Sequence, residues 1–395
     1  MRIAVVLEDT ISAGGGFNQA LNAIIQIERI SRGNFDCLIV SSYPENLSLL
    51  KELGVSAITF KPSLLDKIIG ALGDYELTRR VLRRFKWISP FEKLLLSREC
   101  DLVYFVTPTA RVACLQSINF ILTIWDNCHR DFPEFPEVRS YGEFKRREYI
   151  YNFLPLAYLT LVDSDELAIC LHQRYGVDRD RLLTMPFSPN PMLKADLSID
   201  SKAILDEYKL KPGFFLYPAQ FWPHKNHIRI VQALTLLKSQ GEDPIVVFVG
   251  GDKGNQGVVM DSVTLAGLKD QILNLGFVPT DHLDALYQNC CAVVMPTYFG
   301  PTNLPPLEAW QALAPLIYSQ HLAQQCNGAA LLIDPDDPHT LANAMLQSKQ
   351  TSVRNELVRC GERRLIEIDE KRSQAEVKFE AHLMSFQQRC STWSQ

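Results

Sequence analysis

Short, continuous apolar runs alternate with amphipathic segments along this chain, and that alternation constrains its fold most. The runs are RIAVVL (2–7), FDCLIVS (35–41), DLVYFV (101–106), FILTIW (120–125), YLTLVDS (158–164), GFFLYP (213–218), PIVVFVG (244–250), CAVVMP (291–296), PLIYS (315–319) and ALLID (330–334). They are continuous rather than alternating, as strands buried on both faces of a sheet are. Helical periodicity fills 18–30, 165–175, 225–240, 281–290 and 338–348. Strand alternating with helix predicts parallel sheets covered by helices.

The series runs twice. The first ends near LLTMPFSPNPML (182–193), a polar segment without strand character follows (194–213), and the second starts at Phe214. A length of 395 residues suits two domains of ordinary size. The expected division is a Rossmann-like domain over 1–195, a second over 196–375, and a C-terminal helix over 376–395 that packs back on the first. The segment 351–390 is helical and highly charged. No short-period repeat or low-complexity tract interrupts the pattern.

Composition narrows the function classes. An apolar fraction of 47% with 22% charged residues implies a substantial core. A net charge of −5 argues against nucleic-acid binding by the molecule as a whole. No run approaches 18 apolar residues, so no transmembrane helix is expected. The opening MRIAVVLEDT has a five-residue apolar run before Glu8 and Asp9, which reads as a first core strand rather than a signal peptide. The ten cysteines form no CxxC pair and fall mostly in apolar runs, the usage of a reducing, cytoplasmic compartment without a structural zinc.

One segment breaks the pattern. Within 61–98, Arg79, Arg80, Arg83, Arg84 and Lys86 crowd beside Val81, Leu82, Phe85, Trp87 and Ile88. Over 76–88 this suits peripheral contact with the inner face of an anionic membrane. It equally suits a surface helix with a solvated charged face.

Several stretches carry candidate chemistry. The first strand runs into LEDTISAGGGFNQAL, where Gly15 and Gly16 let backbone N–H groups approach a ligand at a helix N-terminus; a plain Gly-rich turn is the simpler reading. In YPAQFWPHKNH (217–227), Lys225 stands at the start of a helix, where charge and dipole together favour a phosphate. In PTYFGPTNLPPLEAW (296–310), a loop through Gly300 follows a strand, and Thr302, Asn303 and Leu304 lead into a helix carrying Glu308. Ligands of parallel sheets bind beyond the carboxyl ends of strands. There, backbone N–H groups of 302–304 suit a diphosphate, and Glu308 suits ribose hydroxyls. In LGFVPTDHLDALYQNC (275–290), Val278 can offer its backbone to a nucleobase.

With GGGFNQAL, YPAQFWPHKNH, VGG, LGFV…LYQNC and PTYFGPTNLPPLEA in this order, the chain resembles the family 4 retaining glycosyltransferases. The resemblance spans nearly the whole length. It implies a GT-B fold: two Rossmann-like α/β domains whose parallel sheets face each other across a cleft. It implies that Lys225 grips the donor diphosphate and Glu308 contacts the ribose. Gln220 stands where the family often has arginine, and Gly300 stands where it has the first of two glutamates eight residues apart.

A further stretch, LTIWDNCHRDF (122–132), follows a strand of the first half. Trp125 occupies the strand-end position at which many relatives carry histidine. His129 is the expected substitute, near the transferred sugar, with Asp126 orienting it or binding acceptor. Arg130 is expected to meet a phosphate, and Asp163 and Ser164 to line the cleft. A loop held by Asp–Arg pairs is the alternative.

The resemblance thus implies a cytoplasmic retaining transferase that moves a hexosyl unit, mannosyl or similar, from a nucleotide-diphosphate sugar to a hydroxyl of a glycan or lipid-linked glycan in cell-surface polysaccharide or lipopolysaccharide synthesis. It implies no cofactor and no divalent metal, the departing diphosphate being stabilised by Lys225, backbone amides and a helix dipole. The departures leave two alternatives, a non-catalytic nucleotide-sugar-binding GT-B protein and a GT-B nucleotide-sugar epimerase.

Overall fold

The computed structural model describes residues 1–10, 14–73, 76–140, 142–193 and 201–392. The chain forms two compact units. Unit 1 comprises 1–133, 142–187 and 370–395; unit 2 comprises 134–141 and 188–369. The chain therefore leaves and re-enters each unit instead of dividing once. The boundary expected at 195–196 falls in residues 194–200, outside the described residues. Within the segment read as linker, Ser201–Glu207 is helical and buries Leu205.

Unit 1 holds seven strands: β1 (Arg2–Leu7), β2 (Asp36–Ser41), β3 (Ala57–Thr59), β4 (Leu102–Phe105), β5 (Asn119–Ile124), β6 (Leu159–Val162) and β7 (Leu182–Thr184). Their order is β3-β2-β1-β4-β5-β6-β7, and every pairing is parallel. Unit 2 holds β8 (Phe215–Pro218), β9 (Val246–Val249), β10 (Ile272–Asn274), β11 (Ala292–Met295), β12 (Leu316–Ser319) and β13 (Leu331–Ile333). Their order is β10-β9-β8-β11-β12-β13, again parallel throughout. The central strands β4, β8, β9, β11 and β12 are apolar and buried along nearly their whole length, as a sheet covered on both faces requires.

Each sheet reverses its strand order once, between β1 and β4 in unit 1 and between β8 and β11 in unit 2. Loops beyond the carboxyl ends of such neighbours diverge and leave a crevice. The sequence pattern shows ten of these thirteen strands. It misses β3, β7 and β10, each three residues long and each at a sheet edge, where one flank needs no apolar partner and the run is too short to show a period.

The helix Thr351–Cys390 begins in unit 2 and ends in unit 1. Its last turns bury Phe379, Leu383 and Phe386. Phe379 packs edge-on to Tyr104 of β4 at 5.7 Å, and Phe386 packs on Tyr158 at 4.9 Å. Among the described residues no helix is long and apolar enough to cross a membrane.

Candidate functional site

The loops after β8 and β11 meet at the switch point of unit 2 and are tied together backbone to backbone. After β8 the chain makes a tight turn over Pro223–Lys225, then enters the left-handed region at Asn226 (φ 56°) and opens the helix His227–Ser239. Asparagine tolerates that conformation because its short amide finds local acceptors. Here its Nδ2 donates to the carbonyls of Pro296 and Pro335 at 3.1 and 2.9 Å. Tyr298 N–H donates to the His224 carbonyl at 2.9 Å. Lys225 Nζ donates to Asn303 Oδ1 at 3.0 Å. Lys225 and the loop leading into the helix Leu304–Gln311 are thus brought together at one place.

Asn303 locks that loop. Its Nδ2 donates to the carbonyls of Phe299 and Gly300 and to the Tyr318 hydroxyl, the last at 2.7 Å. Gln325 clips its backbone from the other side: Asn303 N–H donates to Gln325 Oε1 at 2.9 Å, and Gln325 Nε2 donates to the Asn303 carbonyl at 2.6 Å. This corrects the expectation of a nest built from the N–H groups of Thr302, Asn303 and Leu304. The Asn303 N–H already has a buried partner, and Pro305 and Pro306 remove the donors of the next two helical positions. Leu304 is the only one of the first three helical residues that carries an N–H. The Thr302 hydroxyl oxygen is buried without a hydrogen-bond partner.

Gly300 has φ 100°, and a Cβ there would lie 2.9 Å from the Asn303 amide. No side chain fits this position without moving Asn303, so the loop and a glutamate at 300 exclude each other. Gln220 accepts a hydrogen bond from Trp222 Nε1 at 3.2 Å. Gly250, just past β9, approaches so closely that a Cβ would stand 2.4 Å from the Ala219 carbonyl oxygen. Its N–H donates to the Gly276 carbonyl at 2.7 Å. The loop carrying Val278, itself buried, is therefore linked to the switch point through Gly250.

Glu308 lies one turn inside its helix and is 6% exposed. Its Oε2 accepts from the Tyr287 hydroxyl at 2.6 Å. Burial pushes its carboxyl up to about 7, against the opposing pull of that hydrogen bond.

A second contact at this place was invisible in the sequence. Glu137, from the short stretch of the first half that belongs to unit 2, sets Oε1 2.5 Å from His224 Nδ1, and the same oxygen accepts the His224 N–H at 3.2 Å. The His224 ring stacks flat on Phe299 at 4.3 Å, and Phe135 meets Phe299 edge-on at 4.9 Å. Residue 224 neighbours the lysine, so this clasp fixes the turn that presents it. The segment PEFPE offers no periodicity or motif that would single out Glu137.

Unit 1 places its candidates in two groups. Gly15 and Gly16 open the helix Gly15–Ser31, after Gly14 at φ 69°. A Cβ at Gly16 would stand 3.2 Å from the Trp125 ring, so Trp125 covers the glycine turn. Beyond β5, Asp126, His129 and Arg130 form a network, with different pairings from those expected. Asp126 pairs with Arg147 and accepts the Cys128 N–H at 2.9 Å. It does not orient His129. Glu148 does, through Nε2 at 2.7 Å, and it also binds Arg130 Nε at 2.7 Å and the Tyr175 hydroxyl at 2.7 Å. Arg130 holds the Glu148 carboxyl down at about 2 and lies over the Tyr175 ring. His129 is 1% exposed, between Phe144 and Tyr151. Held in that way, its Nε2 is engaged by Glu148. Ser164 caps the helix Asp165–Tyr175, its Oγ accepting the Leu167 N–H at 3.3 Å. Glu148, Arg147 and Tyr175 were missed because they come from helices that only the fold brings to β5.

Two doubly wound parallel sheets of this order define the class: the chain has the GT-B fold. Solved structures match along nearly its full length. Anabaena Alr3699/HepE in complex with UDP and glucose has a TM-score of 0.71 at 15% identity, covering 98% of this chain and 100% of that one. A glycosyltransferase from Rickettsia africae has 0.68 at 12%, covering 97% and 98%, and WaaG, a glycosyltransferase involved in lipopolysaccharide biosynthesis, has 0.66 at 13%, covering 95% and 99%.

In sequence, residues 202–363 match the family model of glycosyl transferases group 1, which takes in Lys225, Gly300, Asn303 and Glu308. The O-antigen chain mannosyltransferase B of Escherichia coli is 26% identical over 205 residues, 51% of this chain and 54% of its own. The O-antigen chain mannosyltransferase RfbU of Salmonella typhimurium is 25% identical over 182 residues, 43% and 51%. The chain thus spans about half the length of the curated relatives it matches.

Proposed function

We propose that this protein is a retaining glycosyltransferase of the family 4 type. It would transfer a hexosyl unit, mannosyl or similar, from a nucleotide-diphosphate sugar to a hydroxyl of a glycan or lipid-linked glycan in the cytoplasm. The observation that carries the reading is Lys225 held beside Asn303, at the switch point of the unit that contains the family match. An ammonium there, half-buried and next to two helix starts, favours a diphosphate by charge and dipole together. In the transfer, Lys225 exchanges Asn303 Oδ1 for a phosphate oxygen and stabilises the charge that grows on the departing diphosphate. Glu308, already desolvated, accepts from ribose hydroxyls. Retention follows a front-face route in which the departing diphosphate takes the proton of the acceptor hydroxyl. On this reading neither cofactor nor divalent metal is used, and activity survives chelation.

Gly300 favours a second reading, a GT-B protein that binds nucleotide sugars without transferring them. The backbone at 300 excludes the glutamate that family 4 enzymes carry there. Incubation with GDP-mannose and UDP-glucose, with and without glycan and lipid-linked acceptors and with a chelator, separates the two. Glycosylated product with the donor's anomeric configuration supports transfer. Donor binding with neither transfer nor hydrolysis establishes the binder, and an inverted product removes the retaining mechanism.

A further inference from the structure

The helix Leu64–Gly73 of unit 1 is inside-out. Its inward face carries Asp66, Ile69, Gly70 and Gly73, all buried. Its outward face carries Leu64, Leu65, Ile68 and Leu72, exposed, Leu64 by 73%. The roll of the helix is fixed. Asp66 accepts N–H bonds from Ser63 at 2.8 Å and Phe91 at 2.9 Å, and a Cβ at Gly73 would stand 2.6 Å from the Ala113 carbonyl oxygen. Turning the leucines inward would bury larger side chains where the backbone of 110–114 already lies.

The neighbouring helix Glu76–Arg84 repeats the arrangement. It anchors itself by Leu82 and exposes Leu77 by 74% and Val81 by 44%; Phe85 and Trp87 just beyond are exposed by 64% and 60%. Apolar exposure on this scale marks an interaction surface.

Charge identifies the partner. Lys61, Lys67, Arg80, Arg83, Arg84 and Lys86 are exposed around these side chains. Between 61 and 93 the sequence has eight basic and four acidic residues, and two of the acids, Asp66 and Glu92, are buried on backbone N–H groups. This excess stands in a chain whose net charge is −5. A second copy docking by the same face would set cation against cation. An anionic bilayer surface matches both components, taking leucines and aromatic rings into the acyl boundary and guanidinium groups at its phosphates.

We propose that residues 61–73 and 77–87 form a monotopic docking surface for anionic phospholipid bilayers, built from two helices whose apolar sides the fold holds outward. The surface is independent of the transferase reading and widens the segment 76–88 that sequence alone suggested.

Co-sedimentation of the full chain with vesicles tests it. Vesicles of phosphatidylcholine mixed with phosphatidylglycerol should retain the protein at low salt, and phosphatidylcholine alone should not. Replacing Leu64, Leu65, Ile68 and Leu72 together by Ser should abolish binding. R83Q/R84Q/K86Q should lower the partition coefficient roughly a hundredfold, at roughly fivefold per charge. Unchanged melting temperatures confirm that both variants are folded; if the serine variant unfolds, the charge variant decides. Absence of binding by the folded parent chain, equal binding to both vesicle types, or binding unaffected by the charge variant would overturn the proposal. So would sedimentation velocity showing a dimer that the serine variant dissolves.

Discussion

Glu308 holds a carboxyl where burial disfavours its charge, and Lys225 donates to the Asn303 amide oxygen. Both can be tested singly. The folded Glu308 carboxyl, at about 7, lies above the ordinary 4.5. Its contribution to stability is therefore fully present below about pH 4.5 and is lost as pH rises through about 7. Glu308→Gln keeps an acceptor for Tyr287 and removes the charge. Its unfolding free energy should match that of the parent near pH 4.5 and exceed it by about 3 kcal/mol at pH 8, read from urea titrations at the two pH values; parallel pH curves would show that the carboxyl is not strained. Lys225→Ala should weaken nucleoside diphosphate binding by about 1.5–3 kcal/mol, as for loss of a charge-assisted hydrogen bond. Calorimetric titration with UDP and GDP measures this directly, and unchanged affinity removes Lys225 from the site.

At the scale of elements, the loop after β11 is held by groups from four places: Lys225, Tyr318, Gln325 and its own Asn303. Gly300 permits this, since its φ of 100° and its distance to Asn303 admit no Cβ. Gly300→Ala should cost about 1–3 kcal/mol in backbone strain and also displace the acceptor of Lys225, so a lower urea midpoint should accompany weaker nucleotide binding. Stability lost without any change in affinity would separate the loop from the site. Gln325→Leu leaves an N–H and a carbonyl of Asn303 buried and unmade, at about 1–3 kcal/mol each; thermal unfolding of the variant checks this. The sequence marked this loop as a site, because a strand, a glycine, two prolines and a glutamate rarely coincide in a simple turn. It did not show that Asn303 N–H is already occupied. Gln325 lies more than twenty residues away, and no periodicity relates the two. The same limit explains His129. Asp126, His129 and Arg130 after β5 read as chemistry, and their partners Arg147, Glu148 and Tyr175 come from helices remote in sequence.

At the scale of the molecule, unit 1 is closed by a segment from the far end of the chain. Phe379 and Leu383 are fully buried in it. Phe379→Ala should destabilise unit 1 by about 3–5 kcal/mol and leave unit 2 unaffected. Scanning calorimetry should then show one transition shifted and the other in place; a common shift would mean that the units unfold together. Two doubly wound parallel halves follow from sequence alone, because strands buried on both faces need unbroken apolar runs and parallel connections need helices between them. The places of Lys225, Gly300 and Glu308 near strand ends follow from the same order. The tertiary structure alone decided which side chains meet: Glu137 with His224, Gln325 with Asn303, Glu148 with His129, and the leucines of 64–72 turned to solvent. Those pairings depend on distances between segments remote along the chain, and a one-dimensional pattern of polarity carries no information about them.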